Sequence, residues 1–112
     1  MITTHVLDTS RGKPASGLLI VLEVQLSDGA WQEIGRGATD QDGRLRDLWP
    51  TDARRAEGVY RLMFETGAYF AAQGSESFYP QVSIAFKVNN ASDHYHVPLL
   101  LSPYGYSTYR GS

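Results

Sequence analysis

Two of the chain's three histidines, His94 and His96, stand two residues apart, a spacing that a strand turns to one face. Such a pair can share a metal ion, act as general acid and base near neutral pH, or simply bond to surface neighbours. A metal site needs further ligands. No cysteine or other histidine cluster supplies them nearby, so neither a metal nor a cofactor is expected. Arg44 follows the turn residues Asp40-Gln41-Asp42-Gly43 and would sit beside a tight bend. Its planar fork of donors suits carbonyl oxygens and growing negative charge, although most arginines after such a turn are only solvated. The chain ends in Tyr109-Arg110-Gly111-Ser112 directly after a strand-like stretch, where chain ends usually fray unless something holds them.

Period-two alternation dominates the sequence and sets what must position these residues. In residues 18–27, Leu18, Ile20, Leu22, Val24 and Leu26 form the inward set, and Asp28-Gly29 turns the chain into a strand at Trp31–Ala38. Arg44 opens a short strand over residues 44–48. Tyr60, Leu62 and Phe64 alternate inward in the next one, and Val82, Ile84, Phe86 and Val88 in another. Residues 68–73 lack alternation and hold three alanines, which predicts the one helix. Over residues 93–101 the core set is Tyr95, Val97, Leu99 and Leu101, leaving His94, His96, Pro98 and Leu100 on the opposite face. An apolar stripe facing away from its own core marks an interaction surface. Residues 104–112 read as a last strand running back beside this one. The pattern predicts an all-β fold: an antiparallel sandwich of seven or eight short strands with one short helix, as one domain over residues 1–112.

Composition narrows the function classes. The net charge is -2 and no basic run exceeds Arg54-Arg55, so no nucleic-acid partner is expected. The apolar runs are far shorter than the roughly 20 residues of a spanning helix, so no membrane partner is expected either. With no cysteine, packing alone must hold the fold. The opening Met1-Ile2-Thr3-Thr4-His5 has neither a basic nor an apolar leader region, which gives the expectation of a cytoplasmic protein, a periplasmic one with its leader removed being left open. Arg36, Arg46, Arg54, Arg55 and Arg61 read as surface charges. Gly35-Arg36-Gly37 lacks the surrounding strand, turn and helix of a dinucleotide loop.

Longer motifs add to this reading. His5-Val6-Leu7-Asp8 followed by Gly12-Lys13-Pro14-Ala15, and the run from His94 to Tyr104, resemble the two signatures of the transthyretin family. Within that family the closing Tyr109-Arg110-Gly111-Ser112 and the arginine of Asp42-Gly43-Arg44 resemble the 5-hydroxyisourate hydrolases rather than the thyroid-hormone carriers. The likeness extends over essentially the whole chain.

The resemblance implies a transthyretin-like sandwich that hydrolyses 5-hydroxyisourate to 2-oxo-4-hydroxy-4-carboxy-5-ureidoimidazoline in urate breakdown. It implies catalytic roles for His5, Arg44, His96 and Ser112, and a substrate-binding role for these four and Tyr109. Either His5 or His96 would be the base, and either the Ser112 hydroxyl or a terminal carboxylate would orient its neighbours. His94 stands evenly between a structural and a functional role. Ser107 shares Tyr109's alternation class and reads first as an ordinary strand serine. A covalent serine intermediate is disfavoured, since no buried aspartate partner is evident for a triad. The implied assembly is a homotetramer, a dimer of dimers with the sites where the dimers meet. The competing class is a small-molecule carrier using the same channel without turnover.

Overall fold

Alternating apolar residues form strands that, in the computed structural model, stack as two sheets; the structure describes residues 1–46, 48 and 56–112. The strands are β1 (Ile2–Asp8), β2 (Lys13–Pro14), β3 (Leu19–Gln25), β4 (Trp31–Ala38), β5 (Arg44–Leu45), β6 (Gly58–Phe64), β7 (Val82–Val88), β8 (Tyr95–Ser102) and β9 (Gly105–Thr108). One helix, α1 (Thr66–Ala71), follows β6. Two of these strands are only two residues long, so seven carry the sandwich. One sheet runs β2-β1-β8-β9 with β5 added on β1, and the other runs β4-β3-β6-β7.

The core lies between the sheets. Ile2, Val6, Leu18, Ile20, Leu22, Leu62, Phe64 and Leu99 are fully buried, each worth about 1.5–3 kcal/mol over leaving it in water. The alternating sets therefore point as their spacing requires. Leu26 departs from its set: β3 ends at Gln25, and Leu26 sits in the tight turn closed by its bonds with Gly29 and Ala30, exposed to solvent. The helix starts two residues before the expected stretch, because Thr66, Tyr69 and Phe70 pack inward. The strand expected over residues 44–48 is only the two-residue ladder of β5; Asp47 lies outside the described residues, as do Arg54 and Arg55.

Pairing is antiparallel throughout except between β1 and β8, which run parallel with Thr3 beside His96, His5 beside Pro98 and Leu7 beside Leu100. Partners in register share a face. Ile2, Thr4, Val6 and Asp8 of β1 are buried toward the core, which leaves Thr3, His5 and Leu7 on the outer face with His96, Pro98 and Leu100 of β8. The fully buried Asp8 carboxylate is satisfied there. Its Oδ1 accepts the Ser10 and Arg11 amides and the Ser10 hydroxyl, and its Oδ2 accepts Tyr69 Oη at 2.9 Å, tying α1 to the first sheet.

Candidate active site

Arg44 is held by the turn that precedes it. The Asp40 carboxylate accepts the amides of Asp42 at 2.9 Å and Arg44 at 3.0 Å, and these bonds, the Arg44 amide first, hold its pKa below the ordinary carboxylate value. Gly43 has φ +75°, and a Cβ there would stand 2.5 Å from the Val6 carbonyl oxygen. Only glycine lets the turn press this closely on β1. Its own carbonyl accepts the Val6 amide at 2.8 Å, which fixes His5 opposite Arg44.

The histidines meet around a residue that the sequence did not single out. Thr3 Oγ1 lies 2.7 Å from His96 Nδ1 and 2.9 Å from His94 Nε2. Thr3 is nearly buried, His96 half-buried and His94 exposed. With Nδ1 engaged, His96 Nε2 is the nitrogen left for a substrate, since it has no hydrogen-bond partner among the described residues. The His96 pKa is pushed below its ordinary 6.5, chiefly by burial and then by the positive charges of His94, Arg44 and His5. It is therefore neutral, and able to accept a proton, around pH 7.

The tail is fastened to this histidine. The β8–β9 register pairs Leu99 with Thr108, and the bridge between His96 and Gly111 continues the same register. In between stands Pro98, which has no N–H to give to Tyr109, so the ladder lapses and the Pro98 carbonyl accepts Thr108 Oγ1 at 2.7 Å instead. This is why the strand expected over residues 104–112 ends at Thr108. The Gly111 amide then donates to the His96 carbonyl at 2.8 Å, and the Arg110 guanidinium lies 4.7 Å over the Tyr95 ring. A Cβ on Gly111 would stand 2.5 Å from His96 Cδ2 and 3.2 Å from Pro98 Cγ, so the glycine is there for space around the imidazole.

Arg44, His96 and Ser112 line one depression of about 220 Å³ on the outer face, together with Thr3, His94 and Arg46. His5 sits across from Arg44 and Pro98, within electrostatic reach of His96. From strand spacings of about 4.8 Å and about 3.4 Å per residue, the His96 Cα is roughly 8 Å from that of His5 and roughly 12 Å from that of Arg44. Side chains bridge such spans around one bicyclic molecule. Tyr109 is mostly exposed and lines a separate crevice with Phe86 and Arg110, which meets the first only at His96. Ser107 stands opposite Leu100, also exposed. Among the described residues no group of three or more His, Cys, Asp or Glu is arranged to hold a metal.

Two residues at the site went unread in the sequence. Arg46, expected as a plain surface charge, is exposed yet lines the depression with Arg44. Thr3 shares the alternation class of His5, and that was its only signal; without the parallel β1–β8 pairing nothing places it beside His96. Of the other arginines, Arg36 makes a surface pair with Glu33, whereas Arg61 pairs with Glu23 at 2.7 Å and lies 4.3 Å over the Trp31 ring.

A family model described as Transthyretin: HIUase/Transthyretin family matches residues 2–111. The chain belongs to this family. It is 49% identical over 112 residues to a 5-hydroxyisourate hydrolase of Salmonella dublin, covering 100% of this chain and 81% of the relative. To the mouse 5-hydroxyisourate hydrolase it is 44% identical over 112 residues, covering 99% and 94%. The solved 5-hydroxyisourate hydrolase of Klebsiella pneumoniae matches with a TM-score of 0.85 and 37% identity over 99% of this chain and 98% of that one. Sea bream transthyretin in complex with thyroxine matches with a TM-score of 0.90 and 33% identity over 98% and 93%. The transthyretin-like sandwich is thus common to a 5-hydroxyisourate hydrolase and a thyroxine-bound transthyretin, and side chains rather than backbone must tell them apart.

Proposed function

We propose that this chain hydrolyses 5-hydroxyisourate, opening one ring at a cyclic amide C–N bond as a step of urate breakdown. The observation that carries the proposal is the convergence of Arg44, His5 and His96 on one outer sheet face, with Ser112 at its edge. A neutral imidazole takes a proton from the attacking water and returns it to the departing nitrogen. His96 Nε2 fills this role, because its Nδ1 is anchored and its charged form is disfavoured. The Arg44 fork binds the carbonyl oxygen and stabilises the negative charge that grows on it. His5, opposite Arg44, adds a donor on the far side, and Ser112 lines the same depression, whereas Tyr109, in the adjoining crevice, lies outside it on the single chain. No cofactor is required by this chemistry.

The depression on one chain is too open to exclude water, and its neighbours on the face include Leu7, Pro98 and the exposed Leu100. We propose that a second subunit covers it. Strands β7 and β9 are unpaired edges lying on the same side of the sandwich, where the crevice between Phe86 and Tyr109 opens. Such edges pair with another chain unless blocked, and edge pairing followed by stacking of the outer faces yields a dimer of dimers with the sites between them.

The test is the loss of ultraviolet absorbance of freshly generated 5-hydroxyisourate against its spontaneous decay, with wild type beside His96→Asn. Acceleration by the wild type and its loss in the variant are expected. No acceleration by the wild type sinks the proposal, and tight binding without turnover would instead mark a carrier. A fully active monomer in sedimentation would refute the shared site.

A further inference from the structure

Thr3 is in contact with both histidines through one oxygen, and a hydroxyl has one proton to donate and can accept from others. When both rings are neutral, a Thr3 hydroxyl that donates to one ring accepts an N–H from the other. With Thr3 donating to His94 Nε2, the proton of His96 sits on Nδ1 and its Nε2 is bare, a base. With Thr3 donating to His96 Nδ1, the proton of His96 sits on Nε2, an acid. When Nε2 of His96 gains a proton, passing protons along His96 Nδ1, Thr3 Oγ1 and His94 Nε2 turns His96 from the first form into the second and leaves the positive charge on His94.

Building on the hydrolase reading above, we propose that Thr3 and His94 are positioning residues that form a proton relay behind His96. As water adds to the carbonyl carbon, its proton goes to His96 Nε2. The Nδ1 proton passes to Thr3 Oγ1, and the Thr3 proton passes to His94 Nε2. The new C–O bond leaves an oxyanion facing Arg44, and the positive charge comes to rest on His94. When the C–N bond breaks, the departing nitrogen takes the Nε2 proton of His96 and the three transfers reverse, so every proton is returned.

Placement of the charge is the physical reason for the device. His96 is half-buried and faces His5, Arg44 and Arg46 as well as His94, so an imidazolium held there is opposed by burial and by like charge. His94 is exposed, and water stabilises the charge once it arrives. At this nearly buried outer-face position the Thr3 hydroxyl bonds, among the described residues, to the two rings and to nothing else, a contact that valine, of similar shape, could not make.

Two measurements decide it. Nitrogen-15 spectra of labelled histidines in the free protein above pH 7.5 need no substrate. They are expected to show one N–H and one bare nitrogen between His96 Nδ1 and His94 Nε2, or averaged shifts of the two states. An N–H on both would overturn the relay and leave the hydrolase reading standing. In turnover, Thr3→Val should lower kcat about 10- to 100-fold with little change in KM, as loss of part of an acid–base contribution, and Thr3→Ser should restore it. His94→Gln, whose amide can bond Thr3 but pass no proton, should lose as much, and the double variant Thr3→Val/His94→Gln no more than either single. Turnover within about threefold of wild type in Thr3→Val or His94→Gln would overturn the relay. A wild type that does not hydrolyse 5-hydroxyisourate would instead bring down the hydrolase reading itself, and the wild-type rate alone tells the two failures apart.

Discussion

Gly111→Ala tests whether the tail is part of the catalytic apparatus or merely rests on it. An added Cβ would lie 2.5 Å from His96 Cδ2, whereas carbon atoms settle at about 3.5–4.0 Å, so something must move by roughly 1 Å. Pro98 Cγ, 3.2 Å from the same Cβ, belongs to a rigid ring and gives way little. One outcome is that the His96 ring swings and its 2.7 Å bond to Thr3 Oγ1 lengthens. The other is that the tail lifts, losing the 2.8 Å bond from the Gly111 amide to the His96 carbonyl and carrying Ser112 out of the depression. Misplacement of a reacting group by 1 Å costs on the order of 100-fold in rate, so kcat for 5-hydroxyisourate should fall by about that factor. Stability should change far less. Gly111 is not among the residues with positive φ, so alanine brings no backbone strain, and one lost hydrogen bond is worth about 1 kcal/mol, roughly 4 °C in Tm at this chain length. Steady-state hydrolysis and a thermal melt measure the two effects separately. Turnover within about threefold of wild type, with the melt unchanged, would refute the claim that the tail sets the position of His96.

Arg44→Met should cost about 100- to 1,000-fold in kcat by removing the oxyanion donor. Because the Arg44 charge helps to hold the His96 pKa below 6.5, the acid limb of kcat/KM should also move up toward that value, and an unmoved limb would contradict the coupling. Folding stability should follow the same histidine. With its folded pKa depressed, the unfolded chain takes up the proton first, so the His96 contribution is complete above about 6.5 and is lost as pH falls through the folded value; denaturant midpoints in the Arg44→Met background should show less of this loss. Tyr69→Phe removes the donor to the buried Asp8 Oδ2 and should cost about 1.5–3 kcal/mol in a urea titration while leaving kcat near wild type, since this pair lies across the sheet from the site. Deleting residues 109–112 spares every strand, so circular dichroism should be unchanged while turnover collapses; retained turnover would remove the tail from the mechanism.

The fold was legible because most strands bury one face, and a one-residue period error would have put positions such as Leu22 in water instead of at full burial. The inward sets of β6, β7 and β8 need no tertiary information. The edges of that reading fail where a non-local partner decides. β5 lasts only two residues, and β9 stops at Thr108 because a proline on the neighbouring strand lacks one N–H, which no property of residues 104–112 encodes. His5, Arg44 and His96 carried their own chemistry and could be named from residue type and resemblance. Thr3 and Arg46 could not, since their roles arise from the parallel β1–β8 register and from β5 folding onto β1, pairings between residues far apart in the chain. Gly111 was visible as part of a motif, but its reason, the space beside an imidazole, is purely geometric.

The backbone matches a thyroxine-bound transthyretin and a 5-hydroxyisourate hydrolase at TM-scores of 0.90 and 0.85, so the side chains it carries must tell the two apart. In β1 and β8 the inward residues, such as Ile2, Val6, Leu99 and Leu101, hold the fold, while Thr3, His5 and His96 between them make little of the core. Strand alternation thereby separates the two duties residue by residue. Outer-face side chains can be exchanged at small cost to stability, so binding and chemistry can diverge on an unchanged backbone. The glycines are the exception. Gly43 and Gly111 bring turn and tail into contact with β1 and with His96, where even a methyl group would collide, and they tie the position of Arg44 and His96 to the backbone itself. A chain that keeps both glycines therefore keeps the frame for this arginine and this histidine, whatever else changes on the face around them.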